Sequence, residues 1–145
     1  MELSNKTEYA ILSLIALAAC YSSGESLQIR EIAVRQNIPN RYLEELLATL
    51  RRGGLIKSIR GVKGGYVLAR EPRKITLLDA FRCMEEANED VPNKNSTPTS
   101  VETEVVQEVW QEACEAAYSV LQKYTIHDLY EQRGKRRQME FMYYI

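Results

Sequence analysis

Between residues 41 and 74 the sequence holds nine Lys or Arg against three Asp or Glu, enough to put a positive field on one region and attract a polyanion. Arg60 and Lys63 stand among Gly61, Gly64 and Gly65. Three glycines in five residues permit positive φ and a close approach of backbone to another surface. Upstream, Asn40, Arg41, Tyr42 and Glu44 open an amphipathic segment. Arginine can bind the two acceptors of guanine bidentately, a carboxylate can accept from cytosine N4, and backbone amides with a lysine can hold phosphate. The net charge of −1 hides this region, because residues 1–75 carry +5 and residues 76–145 carry −6.

Other reactive side chains are sparse. Cys20, Cys83 and Cys114 have no close spacing, and three cysteines cannot all pair within one chain, so reduced thiols in a cytoplasmic protein are expected. His127 has no second histidine and reads as a surface or interface residue, not a metal ligand. No Ser/His/Asp, Cys/His or phosphate-loop arrangement is present, so an enzyme is not expected. With 45% apolar and 27% charged residues, 7 Gly and 4 Pro, disordered, collagen-like and disulfide-framework classes are excluded. Tyr9 to Cys20 is apolar except for Ser13 and ends in Leu17-Ala18-Ala19-Cys20, like a lipoprotein cleavage box. A basic leader is missing, since Glu2, Lys6 and Glu8 are net negative, and the run is short of the roughly 18 residues that span a bilayer. It reads as a buried helix, and no membrane partner is expected.

The elements that must position these residues follow from capping and periodicity. Ser4 caps a first helix over about 5–22, and a second over about 30–36 is broken by Asn37-Ile38-Pro39-Asn40. A third, over 40–52, has the stripe Leu43, Leu46, Leu47 and Leu50 and stops at Gly53-Gly54. Residues 55–60 and 65–69 read as a hairpin with a basic tip, which makes the first part a winged helix-turn-helix. Thr76 and Asp79 start a fourth helix over about 77–86. The polar residues 87–100, with two prolines, read as a mobile linker. A long amphipathic helix over 101–124 is expected to pair with its copy in a homodimer through Val105, Val109, Trp110, Ala113, Ala117, Val120 and Leu121, with Tyr118 and Tyr124 as packing residues. A capped segment at 125–131 leads to a basic run, Arg133 to Arg137, read as a solvated tail, and to an apolar end. The expected fold is mainly α with one small β-hairpin: a winged helix at 1–86, a linker at 87–100, and a dimerisation helix with a C-terminal segment at 101–145.

Four motifs occur in order: Leu3-Ser4-x-Lys6-x-x-Tyr9-Ala10, Ile38-Pro39-x-x-Tyr42-Leu43-Glu44, Leu50-Arg51-x-x-Gly54-Leu55-Ile56-x-Ser58-x-Arg60-Gly61-x-x-Gly64-Gly65-Tyr66-x-Leu68, and Ile75-Thr76-Leu77. Together they resemble the Rrf-two (IscR/NsrR/CymR-like) family of bacterial winged-helix transcriptional regulators, over residues 1 to about 85 without a gap. Trp110 and Thr125-Ile126-x-Asp128-Leu129 extend the likeness toward the end of the chain. The resemblance implies a homodimer on a partly palindromic promoter site, with the third helix in the major groove and the wing in an adjacent groove. The implied contacts to double-stranded DNA are Asn40, Arg41, Tyr42, Glu44, Arg60, Lys63, Gly64 and Gly65.

Well-known members of this family hold an iron-sulfur cluster with three cysteines before the long helix. Counting back from Trp110, the matching positions are Pro92, Pro98 and Glu104. Proline has no ligand atom, and thiolates are the usual ligands, so no cluster is expected. An alternative is a two-iron two-sulfur cluster at an atypical site made by Glu8 with Cys83 or Cys114, since some members use a carboxylate at the position of Glu8 from the other subunit. A further alternative is control by a small-molecule effector or by docking a metabolic enzyme, suggested by the acidic second half.

Overall fold

The computed structural model describes residues 3–87 and 100–143. Helix α1 (Asn5–Ala19) is capped by Ser4, whose Oγ accepts from the Thr7 N–H at 3.2 Å. Its run of small and branched apolar residues is covered on nearly every side: Ala10, Leu14, Ala16 and Leu17 are at most 2% exposed. Ser13, the one polar residue of that run, is fully buried and satisfied by donating to the Tyr9 carbonyl at 2.8 Å. The helix ends three residues before the expected Ser22. The Cys20 and Tyr21 N–H groups turn back to the Leu17 and Ala18 carbonyls, and Gly24 follows at φ +73°, a tightened turn closed by a residue that tolerates positive φ.

Helices α2 (Ile29–Gln36) and α3 (Asn40–Arg52) lie on α1 and on each other. Between them Asn37 takes the left-handed conformation at φ 53°, and the buried Ile38 anchors the turn by donating its N–H to the Ala33 carbonyl. The stripe Leu43, Leu46, Leu47 and Leu50 enters the core as its period predicts. Strands β1 (Ile56–Ile59) and β2 (Gly65–Leu68) pair antiparallel in the register Ile56↔Leu68 to Ile59↔Gly65. Leu27 adds a bridge to Tyr66, with N–H···O distances of 3.0 and 2.7 Å in the two directions. The architecture is a winged helix-turn-helix, mainly α with one small hairpin.

After a 3-10 turn at Pro72–Lys74 come α4 (Leu77–Ala87), α5 (Val101–Lys123) and α6 (Ile126–Tyr143). Residues 88–99, which include Pro92, Pro98 and most of the expected linker, lie outside the described residues. Helices α4 and α6 start side by side: Thr76 bridges Thr125, the Leu77 N–H donates to the Tyr124 carbonyl and the Ile126 N–H to the Ile75 carbonyl, both at 2.9 Å. Ile75 and Ile126 are fully buried at this joint. Each start also carries a reciprocal capping box. Thr76 and Asp79 exchange two 3.0 Å bonds, and Thr125 and Asp128 exchange bonds of 2.9 and 3.1 Å. Among the described residues no helix is long and apolar enough to cross a membrane.

One expectation for the second half needs correction. Helix α6 does not stop near Glu131; it continues through the basic run to Tyr143. Gly134 costs roughly 1 kcal/mol there relative to Ala, but the residues around it are good helix formers and Leu129 and Tyr130 dock on the core. Tyr118 is held within the chain, with its ring 6.2 Å from Phe81 and the Arg82 guanidinium 5.7 Å above it.

The Asp128 carboxyl is held below its usual range, chiefly by the hydrogen bonds from Thr125, with smaller help from His127 and Arg73. A depressed folded-state pKa gives stability that is fully present above the unfolded carboxyl value of about 4 and is lost as pH falls toward the folded value. Asp128→Ala is expected to lower stability by about 0.3–1.5 kcal/mol at neutral pH. In urea titrations the gap to the parent chain should shrink as pH is lowered below about 4.

Candidate nucleic-acid interface

The first turns of α3 present Asn40, Arg41, Tyr42, Glu44 and Glu45 on the outer surface, opposite the leucine stripe. Arg41 is ordered by its neighbour. Its Nη2 donates to the Tyr42 hydroxyl at 3.0 Å, and its guanidinium carbon lies 4.8 Å from the centre of the Tyr42 ring. Tyr42 in turn meets Tyr9 of α1 at a ring separation of 6.1 Å, within the range of a productive aromatic pair. Tyr9 is thus a positioning residue that periodicity alone does not single out, because its partner is distant in the chain.

The wing is set by close approach. Gly61 has φ +115°, and its carbonyl accepts from the Gly64 N–H at 2.9 Å. A side chain on Gly64 would come within 2.5 Å of the Ile59 carbonyl oxygen, and one on Gly65 within 2.6 Å of the Leu27 carbonyl oxygen. Both glycines are therefore required by the turn and by the Leu27 bridge. Since the Gly64 amide is used inside the turn, the cationic groups at the tip are the exposed side chains of Arg60 and Lys63. Ser26 ties the tip to the α1–α2 loop by donating to the Lys63 carbonyl at 2.7 Å, a link between residues 37 apart that sequence reading did not find.

The electrostatics favour an anion. Among the described residues the ion pairs are Arg70–Asp79 at 4.0 Å and His127–Glu131 at 3.6 Å, so Arg41, Arg60 and Lys63 are not neutralised by a neighbouring carboxylate. A helix face with donors and two carboxylate acceptors, beside a cationic wing anchored to the same core, can hold phosphates and read base edges.

The candidate sensor residues are dispersed. Glu8 is exposed in the first turn of α1. Cys83 packs between α4 and α3, with its thiol 3.6 Å from the Thr49 carbonyl and against Gly53. Burial and Glu86 push that thiol up, against the opposing effect of Arg52. Cys114 is half-buried on α5, and Cys20 is buried beside the Arg35 guanidinium at 3.5 Å. Among the described residues no three His, Cys, Asp or Glu side chains converge as a metal site requires. Within one chain, therefore, Glu8, Cys83 and Cys114 are not brought together. On α5, Val105, Val109, Trp110, Ala113 and Val120 are exposed, while Ala117 and Leu121 are half-buried.

Comparison with known proteins gives the following. The family model Rrf2, "Iron-dependent Transcriptional regulator", matches residues 3–132. The HTH-type transcriptional regulator CymR of Bacillus subtilis is 34% identical over 145 residues, all of both chains. Among solved structures, T. potens IscR superposes with a TM-score of 0.73 at 32% identity, covering 92% of this chain and 88% of that one. The structure of B. subtilis CymR, described as a global cysteine regulator, superposes with a TM-score of 0.71 at 33% identity, covering 91% and 98%.

The thiol environments have a chemical consequence. The thiolate is the reactive form, and burial disfavours it. In the folded protein Cys83, whose thiol burial and Glu86 push up, and Cys20, which is shielded at 5% exposure, are expected to react with iodoacetamide roughly tenfold or more slowly than in urea, read by mass spectrometry. Equal rates in the two conditions would show that these thiols are open.

Proposed function

The chain belongs to the Rrf2 family of transcriptional regulators, and from that premise we propose that it binds a partly palindromic promoter site as a homodimer, without the three-cysteine cluster of its best-known relatives. The observation that carries the reading is the exposed start of α3, with Arg41 in no ion pair among the described residues, beside a cationic wing fixed to the same core. Arg41 and Glu44 read bases in the major groove, Asn40 and Tyr42 position the helix, and Arg60 and Lys63 hold phosphate from the wing. Gly64 and Gly65 form the tight turn that presents these two side chains.

Helix α5 supplies the dimer surface. It has no buried residue, and Val105, Val109, Trp110, Ala113 and Val120, flanked by Ala117 and Leu121, give it an apolar side that a second copy would cover. Two recognition helices would then reach half-sites about one helical turn, roughly 34 Å, apart. For the cluster, Pro92 and Pro98 stand at two of the three ligand positions and offer no donor atom. Protein purified without oxygen should be colourless and iron-free. A coloured, iron-bearing dimer bleached by Glu8→Ala would overturn that part of the reading.

DNA binding is tested by fluorescence anisotropy with promoter and scrambled duplexes over a salt series. Affinity should fall steeply with salt. Arg60→Ala should weaken both duplexes and reduce the salt slope by about one. Glu44→Ala should cost about 1–3 kcal/mol of discrimination at one base pair while leaving scrambled DNA little changed. A flat salt response, or equal affinity for every duplex, would refute the proposal.

A further inference from the structure

The face of α6 turned toward α1 carries more positive charge than the fold neutralises. It borders an open cleft of about 470 Å³, within the range of small-molecule sites. The floor is apolar, from Leu12 and Ile15 of α1 and Leu129 of α6, and the wall is Arg133, Arg136 and Arg137. Among the described residues no carboxylate lies within 4.0 Å of these three guanidinium groups, and Glu140 is the one acidic residue of the lining. Like charges three and four residues apart destabilise a helix. Arg133 is partly buried, its guanidinium 5.6 Å from the Tyr130 ring centre. Burial, Arg137 and Arg35 of α2 push its proton affinity down, against Tyr130. The C-terminal end of α2 and Glu140 oppose an anion here, but the three arginines of the lining outweigh them.

We propose that this cleft is an effector site for a small organic anion, with a phosphate or carboxylate held by the forks of Arg133 and Arg137 and an apolar body resting on Leu12, Ile15 and Leu129. Planar guanidinium pairs match both anionic groups. The position suits regulation: Gln36, at the end of the cleft, is the last residue of α2, and the next residue is Asn37, whose left-handed turn sets the entry to α3. A ligand bridging α6 to Gln36 favours one setting of that turn. The coupling to DNA rests on the function proposed above, whereas the anion site does not.

The test uses the full chain and phenyl phosphate, with benzoate, inorganic phosphate and neutral benzyl alcohol as comparators at matched ionic strength. Phenyl phosphate should raise the melting temperature saturably, more than inorganic phosphate and with no effect from benzyl alcohol. It should also change promoter affinity by about fivefold or more. The melting shift should vanish in Arg133→Gln/Arg137→Gln. Arg136→Gln/Arg137→Gln, which alters exposed positions alone, should weaken it and serves if the first variant fails to fold. No saturable shift, or a shift that survives both double variants, overturns the site. A folded variant that loses promoter affinity with a shallower salt slope assigns the arginines to the DNA backbone, and a variant that turns monomeric assigns them to the acidic α5 face of a second copy; either result overturns the proposal. Binding with no change in promoter affinity removes the effector role. A parent chain that binds no promoter DNA fails the earlier reading, while the melting data still judge the cleft.

Discussion

A helix that is apolar around most of its circumference must be covered on every side, and α1 imposes that constraint on the whole molecule. Helices α2, α3, α4 and α6 and strand β2 all pack on it. Each fully buried leucine contributes roughly 1.5–3 kcal/mol, and α3 and strand β2 both dock on this one shared rod while α3 also packs on β1. Tyr9 extends this control to the surface. It leaves the buried face of α1 and meets Tyr42, which holds Arg41.

What was legible in the sequence was local. The Leu43 to Leu50 stripe, the basic hairpin tip and the Thr76/Asp79 capping box depend on neighbours within a few positions, and each stands where its spacing placed it. The candidate interface was legible as residue types at the start of α3 and in the wing. What aims them was not, because the Ser26–Lys63, Leu27–Tyr66 and Tyr9–Tyr42 contacts join distant parts of the chain. The end of the chain was misread for a related reason. A basic run suggests solvent, yet docking of the first turns of α6 on the core carries the helix past Glu131, and Gly134 has open space rather than a turn around it.

Charge is divided by element as well as by half. Arg41, Arg51 and Arg52 lie on α3 and Lys57, Arg60 and Lys63 on the wing, while Glu104, Glu108, Glu112 and Glu115 follow one another along a face of α5. An acidic face repels a polyanion at a distance of a Debye length or less, about 8 Å at physiological ionic strength. It thereby sets the α5 side against a polyanion, in contrast to the cations of α3 and the wing.

The bridge between Thr76 and Thr125 has a topological consequence. The chain passes one point of the core at the start of α4 and returns to it at the start of α6; α4 buries Ala80 and Met84 in the core, so the part that leaves the core and returns runs from the end of α4 to the end of α5. The entropy of closing such a loop grows only logarithmically, by about 0.6 kcal/mol for each doubling of its length. Chain length can change between α4 and the end of α5 at little entropic cost, whereas α4 itself is held by its buried residues. The joint lets the intervening segment diversify while the register of the winged helix stays unchanged.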